Sequence, residues 1–289
     1  TAAGGNDLVE GGAGDDDLDG GTGEDFLSFL NSAVGVNADL NDGTSTGNGT
    51  DSITGFGNVF GSSFADTIDG DGGDNLIIGR EGNDVIAGFV GSDFLDGGSG
   101  EDLLDHQLRS GPGPVTVDLG AGTVTGMGSD TIVDFESVND TESADTIRDD
   151  GASRTFILLA GGDDTVTAAG GNDLVEGGAG DDDLDGGTGE DFLSFLNSPA
   201  GINADLGAGT STGNGTDSVT GFGNVFGSSY ADTIDGDAGD NLLLGLDGDD
   251  VISGFVGRDF LDGGAGIDSL DGGAGSDSCL DGETLANCE

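Results

Sequence analysis

The chain has 289 residues, of which 63 are glycine, and its formal net charge is −53, with five arginines and no lysine. Five scattered arginines (Arg80, Arg109, Arg148, Arg154, Arg258) cannot form the basic face that a phosphate backbone requires, and no apolar run approaches the length of a membrane span. Leu, Ile, Val and Phe make up about a quarter of the residues, so self-repulsion and backbone entropy leave the chain disordered unless something offsets both.

The first element, Ala2 to Ser28, holds three nonapeptides: AAGGNDLVE, GGAGDDDLD and GGTGEDFLS. They share one pattern: Gly, Gly, any, Gly, any, Asp, any, apolar, any. Glycine at the first, second and fourth places is expected to supply φ > 0 turns. The sixth-place Asp puts a carboxylate where the turn carbonyls converge, and the eighth-place residue points inward from a strand about three residues long. From Phe29 to Phe60 the register lapses into a spacer: a strand over Val34 to Leu40, a turn at Asn41 to Thr50, and a second extended piece, DSITGFGNVF. Gly61 to Asp105 restores the nine-residue beat for five units. His106 to Leu158 is irregular but repeats the spacer from Val115 onward, with Pro112 and Pro114 expected to interrupt strand pairing just before it. Leu159 to Ser194 gives four nonapeptides, Phe195 to Phe226 the spacer again, and Gly227 to Leu280 six more units. Thr1 to Ser32 reappears unchanged at Thr167 to Ser198. The organisation expected is therefore a repeat module over 1–105, a degenerate spacer module over 106–158, and a second repeat module with a C-terminal cap over 159–289. The chain opens in mid-repeat, which suggests a segment of something longer.

This phased pattern resembles the nonapeptides of repeats-in-toxin (RTX), hemolysin-type calcium-binding proteins. The resemblance implies an all-β fold, a right-handed parallel β-roll or β-helix solenoid stabilised by calcium, in which two nonapeptides make one turn and Ca2+ sits between stacked loops. The carboxylate ligands it implies are Asp7, Asp16, Asp25, Asp66, Asp84, Asp93, Asp102 and Asp145, then Asp164, Asp173, Asp182, Asp191, Asp232, Asp250, Asp259, Asp268 and Asp277. Asn75 and Asn241 stand at the same place; an amide oxygen coordinates without charge, so their sites should be weaker. The implied carbonyl donors are Gly12, Gly14, Gly21, Gly23, Gly98, Gly100, Gly178, Gly180, Gly187, Gly189, Gly264 and Gly266. Hard oxygen donors of these two kinds suit calcium.

The fifth-place residues Asn6, Asp15, Glu24 and Asn83 read as surface charge or polarity. The spacer carboxylates Asp39, Asp118 and Asp205 cap turns or coordinate, the turn role being preferred. Outward strand positions in chain order (Asp17, Phe26, Thr67, Val85, Phe94) are mixed, so no threonine rank forms and an ice-binding surface is disfavoured. With one histidine (His106), no lysine and one tyrosine, nucleophilic chemistry has little to work with, and no catalytic residue is expected. Cys279 falls at an inward eighth place and Cys288 nine residues later; a disulfide between them would close the last turn, the alternative being two free thiols. Paired Cys suits an oxidising compartment. The function expected is a secreted, bacterial, calcium-folded spacer or adhesin-like segment; the alternative is the secretion or stabilising module of a larger secreted enzyme. Calcium ions are the partners expected, with neither nucleic acid nor a membrane span, and an extracellular polysaccharide is the open possibility for a surface ligand.

Overall fold

The computed structural model describes residues 2–107, 113–149, 151 and 154–288. Pro112 lies outside them; Pro114 precedes the strand Thr116–Asp118. No helix occurs among the described residues, and the chain divides into two compact units, Thr1–Thr141 and Glu142–Glu289.

Each unit is a parallel β-roll. One nonapeptide supplies one short strand and one turn, and successive strands alternate between two sheets. A strand therefore pairs with the strand 18 residues away: Leu8 with Phe26, Val85 with both Thr67 and Leu103, Phe260 with both Leu242 and Ser278. The eighth-place residues stack into inner ranks between the sheets. Leu27, Val59, Ile77 and Leu95 follow one another in one sheet of the first unit, and Val175, Leu193, Val225, Leu243 and Leu261 in one sheet of the second. All are essentially inaccessible to water. This core is one side chain wide per strand, which a nine-residue unit buries only by stacking on its neighbours.

The spacers are built differently from the expectation. The stretch expected as a turn, Asn41 to Thr50, contains a strand, Thr44–Thr46, which pairs antiparallel with Asn37–Asp39 on one side and Thr50–Thr54 on the other. Alternating β-branched threonines favour the strand. Between them Ser45 is buried and donates its hydroxyl to Asp51 Oδ2 at 2.7 Å. The three-strand meander is inserted whole into one sheet: Thr50–Thr54 pairs in parallel with Asp17–Asp19, and Asn37–Asp39 with Thr67–Asp69. The other two spacers repeat the arrangement at Thr116–Asp118, Thr123–Thr125, Ser129–Val133 and at Asn203–Asp205, Thr210–Thr212, Thr216–Thr220.

Outward positions that look mixed in chain order separate by sheet. In the second unit one sheet presents Phe156, Leu174, Phe192, Asn224, Leu242 and Phe260 in one rank, apolar but for Asn224, with Phe226 and Leu244 beside them, all half-buried. The opposite sheet presents Thr146, Thr165, Asp183, Asn203, Ser218, Thr233, Val251 and Ser269. The first unit carries the same rank in Phe26, Leu76 and Phe94, with Asn58 between Phe26 and Leu76. Rings on these ranks stack along the roll, Phe26 on Phe60 and Phe192 on Phe226, both with centroids 4.9 Å apart, close to the spacing of adjacent strands.

At the C-terminal end a disulfide joins Cys279 to Cys288 across 5.7 Å between Cα atoms. Cys279 occupies the inner rank opposite Leu261. Cys288 does not continue the other rank: Leu285 does, paired with Leu270, because the last unit is three residues short and its strand is Thr284–Ala286.

Candidate metal centres

The centres are built by the turns. Gly12, Gly21, Gly98, Gly178, Gly187 and Gly264 at the second place, and Gly14, Gly23, Gly100, Gly180 and Gly189 at the fourth, have positive φ. Close approach fixes the fourth place as well: a Cβ on Gly180 or Gly266 would fall on the carbonyl oxygen of Gly162 or Gly248 in the turn beneath. First-place glycines depart from expectation, for they do not adopt positive φ. Their role is room for the carboxylate, since a Cβ on Gly177 would lie 2.6 Å from Asp182 Oδ2, and one on Gly263 2.6 Å from Asp268 Oδ2.

The sixth-place carboxylates form a ladder. Most offer Oδ1 to the backbone N–H of the sixth-place residue one turn earlier. Asp7 N donates to Asp25 (2.8 Å), Asp84 N to Asp102 (2.7 Å), Asp145 N to Asp164 (2.7 Å), Thr155 N to Asp173 (2.8 Å), Asp164 N to Asp182 (2.9 Å) and Asp259 N to Asp277 (3.0 Å). The same bond reaches Asp84, Asp93, Asp191, Asp250, Asp259 and Asp268. Oδ2 is then left buried with no donor at Asp16, Asp25, Asp84, Asp93, Asp102, Asp164, Asp182, Asp191, Asp250, Asp259, Asp268 and Asp277. A buried carboxylate oxygen without a partner is costly. Here it recurs in register along both units, and at Asp16, Asp84, Asp93, Asp182, Asp250, Asp259 and Asp268 it lies against the space a first-place side chain would fill.

Loss of hydration, reinforced by the neighbouring carboxylates, pushes the Asp84, Asp93 and Asp182 carboxyls up to about 7, and those of Asp102, Asp164 and Asp250 to about 6. Burial raises Asp191 and Asp259 in the same way. At these carboxyls burial thus favours a bound proton or a bound cation over a bare charge. An oxygen-lined, anionic site of irregular shape selects a hard cation such as Ca2+.

Four motif positions are different. Asp66 accepts from Val36 N (2.8 Å) and Ser62 Oγ (2.7 Å) on Oδ1 and from Ser62 N (2.6 Å) on Oδ2. Asp232 repeats this with Ile202 and Ser228. Asn75 Oδ1 accepts from Asp71 N, while its Nδ2 donates to Gly57 O and Asp71 Oδ1; Asn241 does the same with Asp237 and Gly223.

Several ladder members escape the nonapeptide pattern. Asp51, Asp130 and Asp217 in the spacers accept from Asp16, Asp93 and Asp182 N, and Glu136 and Glu283 accept from Asp102 and Asp268 N. The three spacer aspartates align with one another at constant offsets, the signal that could have found them. The longer Glu side chain bridges where the chain is displaced. Fifth-place residues are more than surface charge: Asn6, Asp74, Asn83, Asp163, Asn172 and Asp249 each accept a backbone N–H from the turn 18 residues later. This second ladder runs opposite to the first. Asp39, Asp118 and Asp205 cap their own turns, accepting from Asp42, Ala121 and Ala208 N.

Parallel strands three residues long, glycine turns and a ladder of half-satisfied carboxylates define a calcium-binding β-roll. The family model for the RTX calcium-binding nonapeptide repeat matches residues 1–27, 54–86, 69–104, 160–193, 226–254 and 253–280. The chain belongs to this family, whose repeats are structural and bind Ca2+ at multiple sites. Comparison with curated proteins found no match. The family's metal fits these residues: the donorless, buried Oδ2 atoms are hard oxygen ligands that a cation would satisfy.

Proposed function

We propose that the chain is an extracellular structural segment of a secreted bacterial protein, a spacer or adhesin-like module in which Ca2+ binding supplies the free energy of folding. The observation that carries this is the register of buried, donorless Oδ2 atoms in a chain of net charge −53. Without cations each is a buried charge facing others; with Ca2+ each becomes a ligand, and binding free energy becomes folding free energy. At calcium 100-fold above a site's Kd, one ion contributes about 2.7 kcal/mol. In this reading the sixth-place aspartates with a free oxygen are the carboxylate ligands, and the second- and fourth-place glycines of the adjoining turns supply carbonyls. Millimolar extracellular calcium and an oxidising compartment, suited to the Cys279–Cys288 disulfide, agree with export. Far-UV circular dichroism in chelator and then in millimolar calcium tests the reading. A β spectrum should appear only with calcium; an unchanged β spectrum in chelator overturns it.

A further inference from the structure

Not every turn of the roll leaves a buried carboxylate oxygen without a donor. In the stretch Gly61 to Asn75 (GSSFADTIDGDGGDN), and in its counterpart Gly227 to Asn241, the protein itself supplies the donors a metal would otherwise replace. Ser62 is fully buried and, through its amide and its hydroxyl, places a donor on each oxygen of Asp66. Its own carbonyl accepts from Arg80 Nη1 at 3.0 Å. Nine residues on, at the opposite edge of the roll, Asn75 stands in place of the carboxylate. Its Nδ2 donates at 2.9 Å to the carbonyl of Gly57, in the turn beneath, so an N–H dipole takes the role of the ion. Ser228 and Asn241 do the same in the second unit, with Asn241 Nδ2 2.9 Å from Gly223 O. One complete turn, closed at both edges, is therefore satisfied without metal in each unit.

Each such turn adjoins a spacer that is also complete. Val36 N and Ile202 N bind Asp66 and Asp232, tying the spacer strands to the turn. Within the spacers Ser45 Oγ donates to one oxygen of Asp51 and Ser211 Oγ to one of Asp217, while the other oxygen accepts from Asp16 N or Asp182 N in a flanking turn. Val36, Ala38, Ile53, Phe56, Val59, Ile68 and Ile77 form a contiguous buried set, matched by Ile202, Ala204, Val219, Phe222, Val225, Ile234 and Leu243. We infer that residues 36–78 and 202–244 are calcium-independent blocks that keep their structure when calcium is withdrawn, and from which the calcium-requiring turns are laid down. The inference rests on the calcium-driven folding proposed above and alters it in one respect: loss of calcium melts the roll back to two seeds.

Hydrogen–deuterium exchange of the whole chain, in excess chelator and in millimolar calcium, separates the two ideas. In chelator, amides of 36–78 and 202–244 should exchange at least 10-fold more slowly than those of 79–105 and 245–280. Uniformly fast exchange in chelator overturns the seed proposal and leaves calcium-driven folding standing. Uniformly slow exchange overturns calcium-driven folding itself. The double variant Ser62→Ala, Ser228→Ala removes the hydroxyl donors and should abolish the residual protection in chelator while calcium restores the parent exchange pattern. Val90→Ser, at an exposed position outside the blocks, should leave the protection in chelator unchanged; loss of protection there would show that the blocks are not autonomous and refute the proposal.

Discussion

Replacing Asp182 separates the two jobs its carboxylate does. Oδ1 accepts from Asp164 N at 2.9 Å, and Oδ2 is buried without a donor. Asp182→Ala removes both: a buried N–H loses its acceptor, about 1–3 kcal/mol, and an ion site loses a ligand, up to about 2.7 kcal/mol at calcium 100-fold above Kd. Asp182→Asn keeps an acceptor for Asp164 N and loses only the charge on the ligand. Asp181→Ala, one residue away, removes an exposed acceptor for Thr216 N at 2.9 Å, which water replaces for under about 1 kcal/mol. In calcium the order of damage should be Asp182→Ala, then Asp182→Asn, then Asp181→Ala. In a unit of this size 1 kcal/mol shifts the melting temperature by about 2–4 °C. Thermal melts in millimolar calcium should therefore drop by about 10 °C for Asp182→Ala, by roughly half that for Asp182→Asn, and by under about 4 °C for Asp181→Ala. Equal drops for Asp181→Ala and Asp182→Ala would refute the register; equal drops for the two Asp182 variants would refute the division of labour between Oδ1 and Oδ2.

The raised carboxyls make calcium dependence a function of pH. A carboxyl moved from 3.8 in the unfolded chain to about 7 at Asp84, Asp93 and Asp182 imposes no penalty below 3.8 and a growing one up to about 7. In chelator, β structure at pH 5 should therefore exceed that at pH 8, while the calcium midpoint should rise at pH 5 because protons compete for the same oxygens; circular dichroism at the two pH values checks both signs. Gly180→Ala puts a Cβ onto the Gly162 carbonyl at a φ of 144° and should destabilise the second unit by at least about 2 kcal/mol in thermal melts, whereas Gly223→Ala, with nothing within 4 Å, should be nearly silent. Cys288→Ser opens a short loop at the end of the second unit and should cost about 2–3 kcal/mol of terminal stability, seen as faster proteolysis after Ser269; the parent should show no free thiol in denaturant without reductant.

The nine-residue phase made the strands, the inner ranks and the carboxylate positions legible, because each is set by a local pattern of one unit. What escaped it depends on the neighbouring turn. The outward positions looked mixed because Phe26 and Thr67 were read as successive members of one series, although alternate units belong to opposite sheets; reading every eighteenth residue separates Phe156, Leu174 and Phe192 from Thr165 and Asp183. First-place glycines looked like φ > 0 residues because glycine serves both purposes, and only the fold of Asp182 back over Gly177 shows that space is the reason. Asn6 and Asn83 looked like surface polarity because their partners lie 18 residues on, outside the unit that contains them. Cys288 looked like an inner-rank residue by a count of nine, but Glu283 supplies the ladder carboxylate and Leu285 the apolar side chain in a shorter last unit. Ser62 and Asn75 sit at motif positions, and their meaning lies in donors that a pattern of letters does not reveal.

The ladder also explains why ions and turns must be added together. Each carboxylate is oriented by an N–H from the turn before it, so Asp84 is aimed only once Asp66 is in place, and Asp102 only once Asp84 is. A free Oδ2 is therefore organised for a cation at the growing end of an existing stack and nowhere else, which gives nearest-neighbour cooperativity in calcium as well as in packing. The turn immediately after each metal-free turn, at Asp84 and at Asp250, receives its orientation from a carboxylate residue already held by serine. On that edge those two turns are the first that calcium should complete, and the ladder runs outward from them to Asp102 and Asp268.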